Sequence, residues 1–355
     1  MTRLATIVAA IEPLDEIALG EARRRQSRLA KPPCSLGRLE ALSIRLAGIR
    51  GRIGPLTSPA VVVMAADHGV AAEGVSAYPA TVTAEMIRTF LAGGAAINAL
   101  ATTVGARLVV VDMGVATAVD ALGLVDRRIA DGTRNLAREP AMSRAQAEAA
   151  VEAGIGIAEE LADAGVDLIV PGDMGIANTT SASCIVAAMT GHPAGDVTGR
   201  GTGIDTATRL RKVGVIERAL GRQPLDRANP IGVLASVGGF EIGGLAGLCL
   251  GAASRRIPVL LDGLISTSAA LLAVAFAPVV SEYLVAGHRS IEPGHRVALR
   301  ALGLRPLLDL EMRLGEGTGA ALAIPIVRGA TAVLSRMTML DAVVSGSRPA
   351  GEQTA

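Results

Sequence analysis

Glu316 is the residue of this chain best suited to proton transfer. It stands in Leu314-Gly315-Glu316-Gly317-Thr318-Gly319-Ala320, a turn with three glycines and no second charge. Glycine admits positive φ and lets the backbone come close to a bound molecule. A carboxylate flanked by small apolar residues is poorly hydrated, which raises its pKa towards the range useful to a general base. Taken alone, the motif favours a plainer reading, a solvent-facing Glu that caps the following helix.

Two other loops suit phosphate. In PGDMGIANTTSAS (171–183) a strand ends at Val170, a glycine turn follows, and Asn178, Thr179, Thr180 and Ser181 open an alanine-rich helix. Unpaired N–H groups at a helix start, with hydroxyls beside them, attract anions. An ordinary Ser or Thr cap is the alternative. GRGTGID (199–205) is a second glycine-rich loop, followed by Lys212, one of two lysines in the chain with Lys31. It is neither a Walker A loop nor a G-x-G-x-x-G.

The remaining polar motifs are weaker. AADHGV (65–70) sets Asp67 and His68 at a strand end, where an acid/base pair or a metal is conceivable. The four histidines, His68, His192, His288 and His295, have no ligand spacing, so no metal is expected. In GHRSIEPGH (287–295), Arg289 and Ser290 could hold an anion, or the loop faces water. Asp309, Glu311 and Arg313 read as a solvated helix face. No G-x-S-x-G elbow is present, which removes the commonest hydrolase reading. Two phosphate-friendly loops and an isolated carboxylate suit transfer of a phosphorylated sugar.

These residues need a scaffold, and the apolar runs supply one. Unalternating stretches at 59–69, 106–116, 166–180, 231–241, 257–266 and 280–290 read as strands covered on both faces, with helical stretches between them. The fold class predicted is α/β, a doubly wound, mostly parallel, Rossmann-like sheet with ligands beyond the carboxyl ends of its strands. Residues 1–50 read as helices broken at Pro32 and Pro33. After Leu302, RPLLDLEMRL, ALAIPIVRGATAVLSRM and MLDAVVSG read as further helices. The expected division is a core at 55–300, a small helical domain from 1–54 and 301–345, and a disordered tail at 346–355.

Composition narrows the function. A formal net charge of +1 over 355 residues gives no field to draw nucleic acid or a membrane surface, and 1% aromatics supply little for base stacking. Cys34, Cys184 and Cys249 fit neither a zinc site nor a disulfide framework, which predicts a reducing, cytoplasmic setting. Glu12, Asp15 and Glu16 stand where a signal peptide needs an apolar core. The chargeless run at 263–280 has membrane-span length, but with Asp262 at its entrance it reads as a loop and an interior helix after a strand.

In this order, KPPCSLGRLE, AADHGV, GVSAYPATVTAEM, FLAGGAAIN, DMGIANTTSAS, GRGTGID, SVGGFEIGGLAG, LLDGLISTSAALL, GHRSIEPGH and LGEGTGA resemble the nicotinate-nucleotide–dimethylbenzimidazole phosphoribosyltransferase family over about residues 31–341. The resemblance implies transfer of 5-phosphoribose from nicotinate mononucleotide to 5,6-dimethylbenzimidazole, with inversion at the anomeric carbon. It implies no metal or other cofactor, and a homodimer. It makes Glu316 the general base and Asp173 a second acidic group. Gly175, Ile176, Asn178, Thr179, Thr180, Gly201, Gly203, Lys212 and Ser290 would surround the phosphoribosyl group. Ser76, Tyr78, Glu85, Met86 and Leu314 would line the base pocket.

Three positions depart from the family pattern: Cys34 and Ala177 stand where it has Gly, and Glu85 where it often has Gln. They bear on the identity of the acceptor. The same transfer to another benzimidazole, adenine or a phenolic is an alternative, as is a nucleotide-binding sensor without turnover. A Rossmann oxidoreductase is weakened by the missing G-x-G-x-x-G.

Overall fold

The structure, a computed structural model, describes residues 2–345; the tail at 346–355 lies outside the described residues. Six strands form one all-parallel sheet: β1 (Pro59–Ala66), β2 (Arg107–Gly114), β3 (Leu124–Asp126), β4 (Leu168–Met174), β5 (Val259–Leu261) and β6 (Leu284–Ala286). Their order is β3-β2-β1-β4-β5-β6. The chain winds outward one way from β1 and the other way from β4, so the connections part between these two strands. In open α/β sheets that crevice, beyond the carboxyl ends, receives the ligand. β1 is buried along its whole length, as a run of Val on a sheet covered on both faces must be.

β4 carries Pro171 in its interior, which a central strand normally excludes. The pairing explains it. β4 meets β5 only at Ile169↔Val259, so the N–H that Pro171 lacks falls beyond the β5 ladder, while β1 stays paired as far as Ala65↔Met174. The strand thus runs past Val170, its expected end, with Gly172 and Asp173 unpaired on the β5 side.

Two expected elements are different. The run 231–241 forms no strand: Pro230–Val237 is a helix, and Phe240–Ser254 another. Asn229 accepts the Gly232 N–H and Pro230 fills the first helical position, a start signal that outweighs an apolar run equally suited to a buried helix. RPLLDLEMRL is not helical either. The N–H groups of Leu307 and Leu308 donate to Ala286 and Gly287 carbonyls, drawing the segment out beside β6, and Glu311 sits at φ 54. Asp309, Glu311 and Arg313 therefore do not share a helix face. β3, at three residues, is too short to show in sequence.

The helix Leu264–Phe276 is interior and only 13 residues long, too short to span a bilayer. Thr318–Arg336 is long and apolar enough by composition, yet 56% of its apolar window is buried within the protein and it contains Arg328, as a core helix can.

The chain forms two compact units, one of Ser58–Ala323 with Met1–Glu12, the other of Pro13–Thr57 with the chain from Ile324 onward. The boundaries thus differ from 54/55 and 300/301. In the first unit, Arg3 ion-pairs with Glu159 and the Tyr283 hydroxyl donates to the Glu12 carbonyl, which holds the N-terminal helix Arg3–Ala10 to the sheet unit. In the second, Asp15 caps the helix Glu16–Arg28 through the Ala18 N–H, and Ala22, Ala47 and Leu334 form a small core.

Candidate active site

Gly315, Glu316 and Gly317 have φ of 86°, 62° and 86°, three consecutive left-handed residues. Only the middle one carries a side chain, and holding it there costs roughly 1–3 kcal/mol that the surroundings must offset. The turn lodges against β4 where that strand has lost β5: a Cβ on Gly172 would lie 2.5 Å from the Glu316 carbonyl oxygen. Gly172 is thus required by close approach.

The Glu316 side chain is 5% exposed, and its Oε2 accepts the Ile97 N–H at 3.3 Å. Ile97 lies in the first turn of the helix Ala96–Thr103. Burial raises the Glu316 pKa above the usual carboxylate value, the Ile97 N–H opposes the rise and the Asp262 carboxylate adds to it. Oε1 has no hydrogen-bond partner among the described residues.

Asp173, at the end of β4, faces the same turn: its carboxylate oxygens would lie 3.1 and 3.2 Å from a Cβ on Gly315. Its Oδ2 accepts from Asn178 Nδ2 at 2.9 Å, and Oδ1 is buried without a partner. Burial, and next the charge of Asp262, push its carboxyl well above the ordinary range. Glu316 and Asp173, far apart in the sequence, stand together.

The residues expected around phosphate form a connected set. The Ile176 N–H donates to Thr83 Oγ1 at 3.2 Å, and Ala177, at φ 74°, turns the chain into the helix Asn178–Thr190. Lys212 Nζ donates to Thr179 Oγ1 at 2.6 Å and lies 3.7 Å from where a Cβ on Gly201 would be. The Gly201 N–H donates to Glu292 Oε1 at 2.8 Å, and the Glu292 N–H to Ser290 Oγ at 3.3 Å. Burial lowers the Lys212 pKa to about 8, against the charge of Glu292. Gly175 sits beside His68, Thr180 is fully buried, and Gly203 lies next to Arg313. A cavity of about 470 Å³ opens beside this loop, with Arg200, Arg209 and Arg313 on its wall.

The residues expected at the base pocket are less closely joined. Ser76 Oγ accepts the Tyr78 N–H, and the Ala77 N–H reaches Thr202 Oγ1 at 3.4 Å, so this loop touches the 199–205 segment. Tyr78 and Leu314 are more than half exposed. Met86 is half-buried, whereas Glu85 is exposed and ion-pairs with Arg88 at 2.6 Å. Arg289 is half exposed and ion-pairs with Asp309.

The His68 ring nitrogens lie 3.0 Å from Ser181 Oγ and 2.7 Å from Glu241 Oε1. Among the described residues no group of three or more His, Cys, Asp or Glu could hold a metal ion. Ile97, Thr83, Asp262 and Glu292 escaped the sequence reading as site residues, although each lies within or beside a motif quoted there. Their partners are distant in sequence, which leaves no local signal.

The phosphoribosyltransferase family pattern matches residues 11–344. The chain is 56% identical over 353 residues to a nicotinate-nucleotide–dimethylbenzimidazole phosphoribosyltransferase of Chloroflexus aggregans, covering 99% of this chain and 100% of that one. It is 56% identical to that of Roseiflexus sp. over 98% of this chain and 99% of the relative. A crystal structure of the Thermus thermophilus protein of that name superposes with a TM-score of 0.88 at 44% identity, covering 95% of this chain and all of the other. On pattern, identity and fold alike, the chain belongs to the nicotinate-nucleotide–dimethylbenzimidazole phosphoribosyltransferase family.

Proposed function

We propose that the protein moves 5-phosphoribose from nicotinate mononucleotide to 5,6-dimethylbenzimidazole, releasing nicotinate and α-ribazole 5′-phosphate. One observation carries this reading: a buried carboxylate, Glu316, at the carboxyl end of a parallel sheet, beside glycine-rich loops that hold a lysine. Family membership supports the substrates. Glu316 takes the azole proton while the other ring nitrogen forms its bond to C1′. The C1′–N bond of nicotinate breaks, and its electron pair returns to the pyridinium ring and neutralises it. Nicotinate thus leaves without an acid, and attack from the opposite face inverts the anomeric carbon.

In this account Lys212, Thr179, Ser290 and the loops 175–180 and 201–203 surround the phosphoribosyl group. Asp173, close to the Glu316 turn, is a second acidic group there. Ser76, Tyr78, Met86 and Leu314 line the side from which the base enters; Glu85, paired with Arg88, acts there only at a distance. One well-placed base contributes about two to four orders of magnitude in rate, and alignment of the two rings supplies much of the rest. The enzyme works as a cytoplasmic homodimer on this reading, in keeping with the free thiols of Cys34, Cys184 and Cys249.

The test is incubation of the purified protein with nicotinate mononucleotide and 5,6-dimethylbenzimidazole, followed by chromatography. Equal amounts of nicotinate and the α-riboside phosphate are expected. Nicotinate without riboside, or neither product, contradicts the reading.

A further inference from the structure

Asp262 follows β5 directly and is 1% exposed. Its Oδ1 accepts the Ala320 N–H at 2.9 Å, in the first turn of the helix Thr318–Arg336. That bond ties the turn bearing Glu316 to the end of β5 across 58 residues of sequence. Behind it, His288 Nε2 stands 3.2 Å from the same oxygen, and a Cβ on Gly319 would lie 2.2 Å from the His288 ring. The helix start is therefore wedged between Asp262 and His288. Asp262 Oδ2 is buried without a partner. A cap alone needs no charge, and an unpaired buried carboxylate oxygen weakens a fold. Asn would cap the helix at less cost.

We propose that Asp262 is the positioning residue of Glu316, fixing the turn that carries it and placing a second negative charge behind it. The inference rests on the reading of Glu316 as the base and adds what prepares it. Around the Glu316 turn, β4 contributes Asp173, the end of β5 leads into Asp262, the segment after β6 sets His288 against Asp262 and Gly319, and the helix Ala96–Thr103 contributes the Ile97 N–H. Gly317 packs on Val61 and Val170 from β1 and β4. Two of the three titratable neighbours are carboxylates, and a like charge makes a carboxylate a stronger proton acceptor.

The test is Asp262→Asn, which keeps an oxygen for the Ala320 N–H and removes the charge. The Glu316 carboxyl is titrated directly by carbon-13 NMR in glutamate-labelled protein, its resonance assigned by its absence from Glu316→Gln. Glu316 is expected to titrate at lower pH in Asp262→Asn than in the parent. The acid limb of kcat/KM moves the same way, and kcat near neutrality falls by about tenfold as the base weakens. Asp262→Ser, a smaller uncharged acceptor, replaces it should the Asn variant not fold. Titration of Glu316 at the same pH in parent and variant overturns the inference, even if the variant loses stability or rate. Normal turnover by Glu316→Gln instead overturns the reading of Glu316 as base, and the titration still decides what Asp262 does.

Discussion

The Ile97 amide and the Glu316 carboxylate, 219 residues apart in sequence, meet at 3.3 Å inside the protein. The amide comes from the first turn of a helix, whose N-terminus favours a negative charge. It keeps the carboxylate able to ionise where burial and Asp262 resist ionisation. The folded pKa is raised, so kcat/KM should fall as pH drops through a value above the ordinary Glu range. The benzimidazole also takes up a proton in acid, so the profile is measured alongside a titration of the free base. An acid limb that follows only the free base contradicts the role given to Glu316.

Lys212 sets the other limb. Its pKa of about 8 in the free protein means that it loses its proton just above neutrality. kcat/KM for nicotinate mononucleotide should therefore decline above about 8, through KM more than kcat. In Lys212→Arg the charge persists to much higher pH, and the basic limb should disappear although the maximum is lower. A basic limb left in place by that variant removes Lys212 from phosphate binding.

Asp173 links activity to stability. Its folded pKa lies well above the unfolded one, so between the two the native state holds more protons. Stability then falls as pH rises from the usual Asp value through the folded pKa, and above that window the loss is complete. Asp173→Asn, which keeps an acceptor for Asn178, should raise the ligand-free Tm near neutral pH and flatten its fall with pH, while turnover drops. An unchanged or lower Tm there, with the same pH slope, contradicts this.

Cys34 and Ala177 both have positive φ, at 60° and 74°. The glycine of the family pattern is thus explained at each place, and this chain carries a strained residue instead. Left-handed backbone costs a non-glycine residue about 1–2 kcal/mol, partly offset by the lower entropy of its unfolded chain. Ala177→Gly should be neutral or stabilising by up to about 1 kcal/mol in urea unfolding. Ala177→Val, β-branched, should be clearly destabilising. The reverse order rules out the strain.

Much of this was legible from residues alone. Glycines on both sides of Glu316 marked a turn whose backbone can take positive φ, and buried runs of Val at 61–63 and 109–111 announced parallel strands. The 231–241 run was not legible, because an apolar stretch fits a buried helix as well as a strand, and Pro230 with the Asn229 cap decides for helix. Asp262 stood out only as the charge at the entrance of the apolar run 263–280; only the folded chain brings the Ala320 amide to it. Glu85 is exposed and pairs with Arg88, a contact the residue types alone do not reveal.

The central claim is that Glu316 accepts the proton of the incoming base, and Glu316→Gln tests it most directly. Its amide keeps the size and the left-handed turn but cannot take a proton at any working pH. Single-turnover measurements with nicotinate mononucleotide and 5,6-dimethylbenzimidazole should show nucleotide binding nearly intact and riboside formation slowed by at least about a hundredfold. Riboside formed at close to the parental rate would contradict the account.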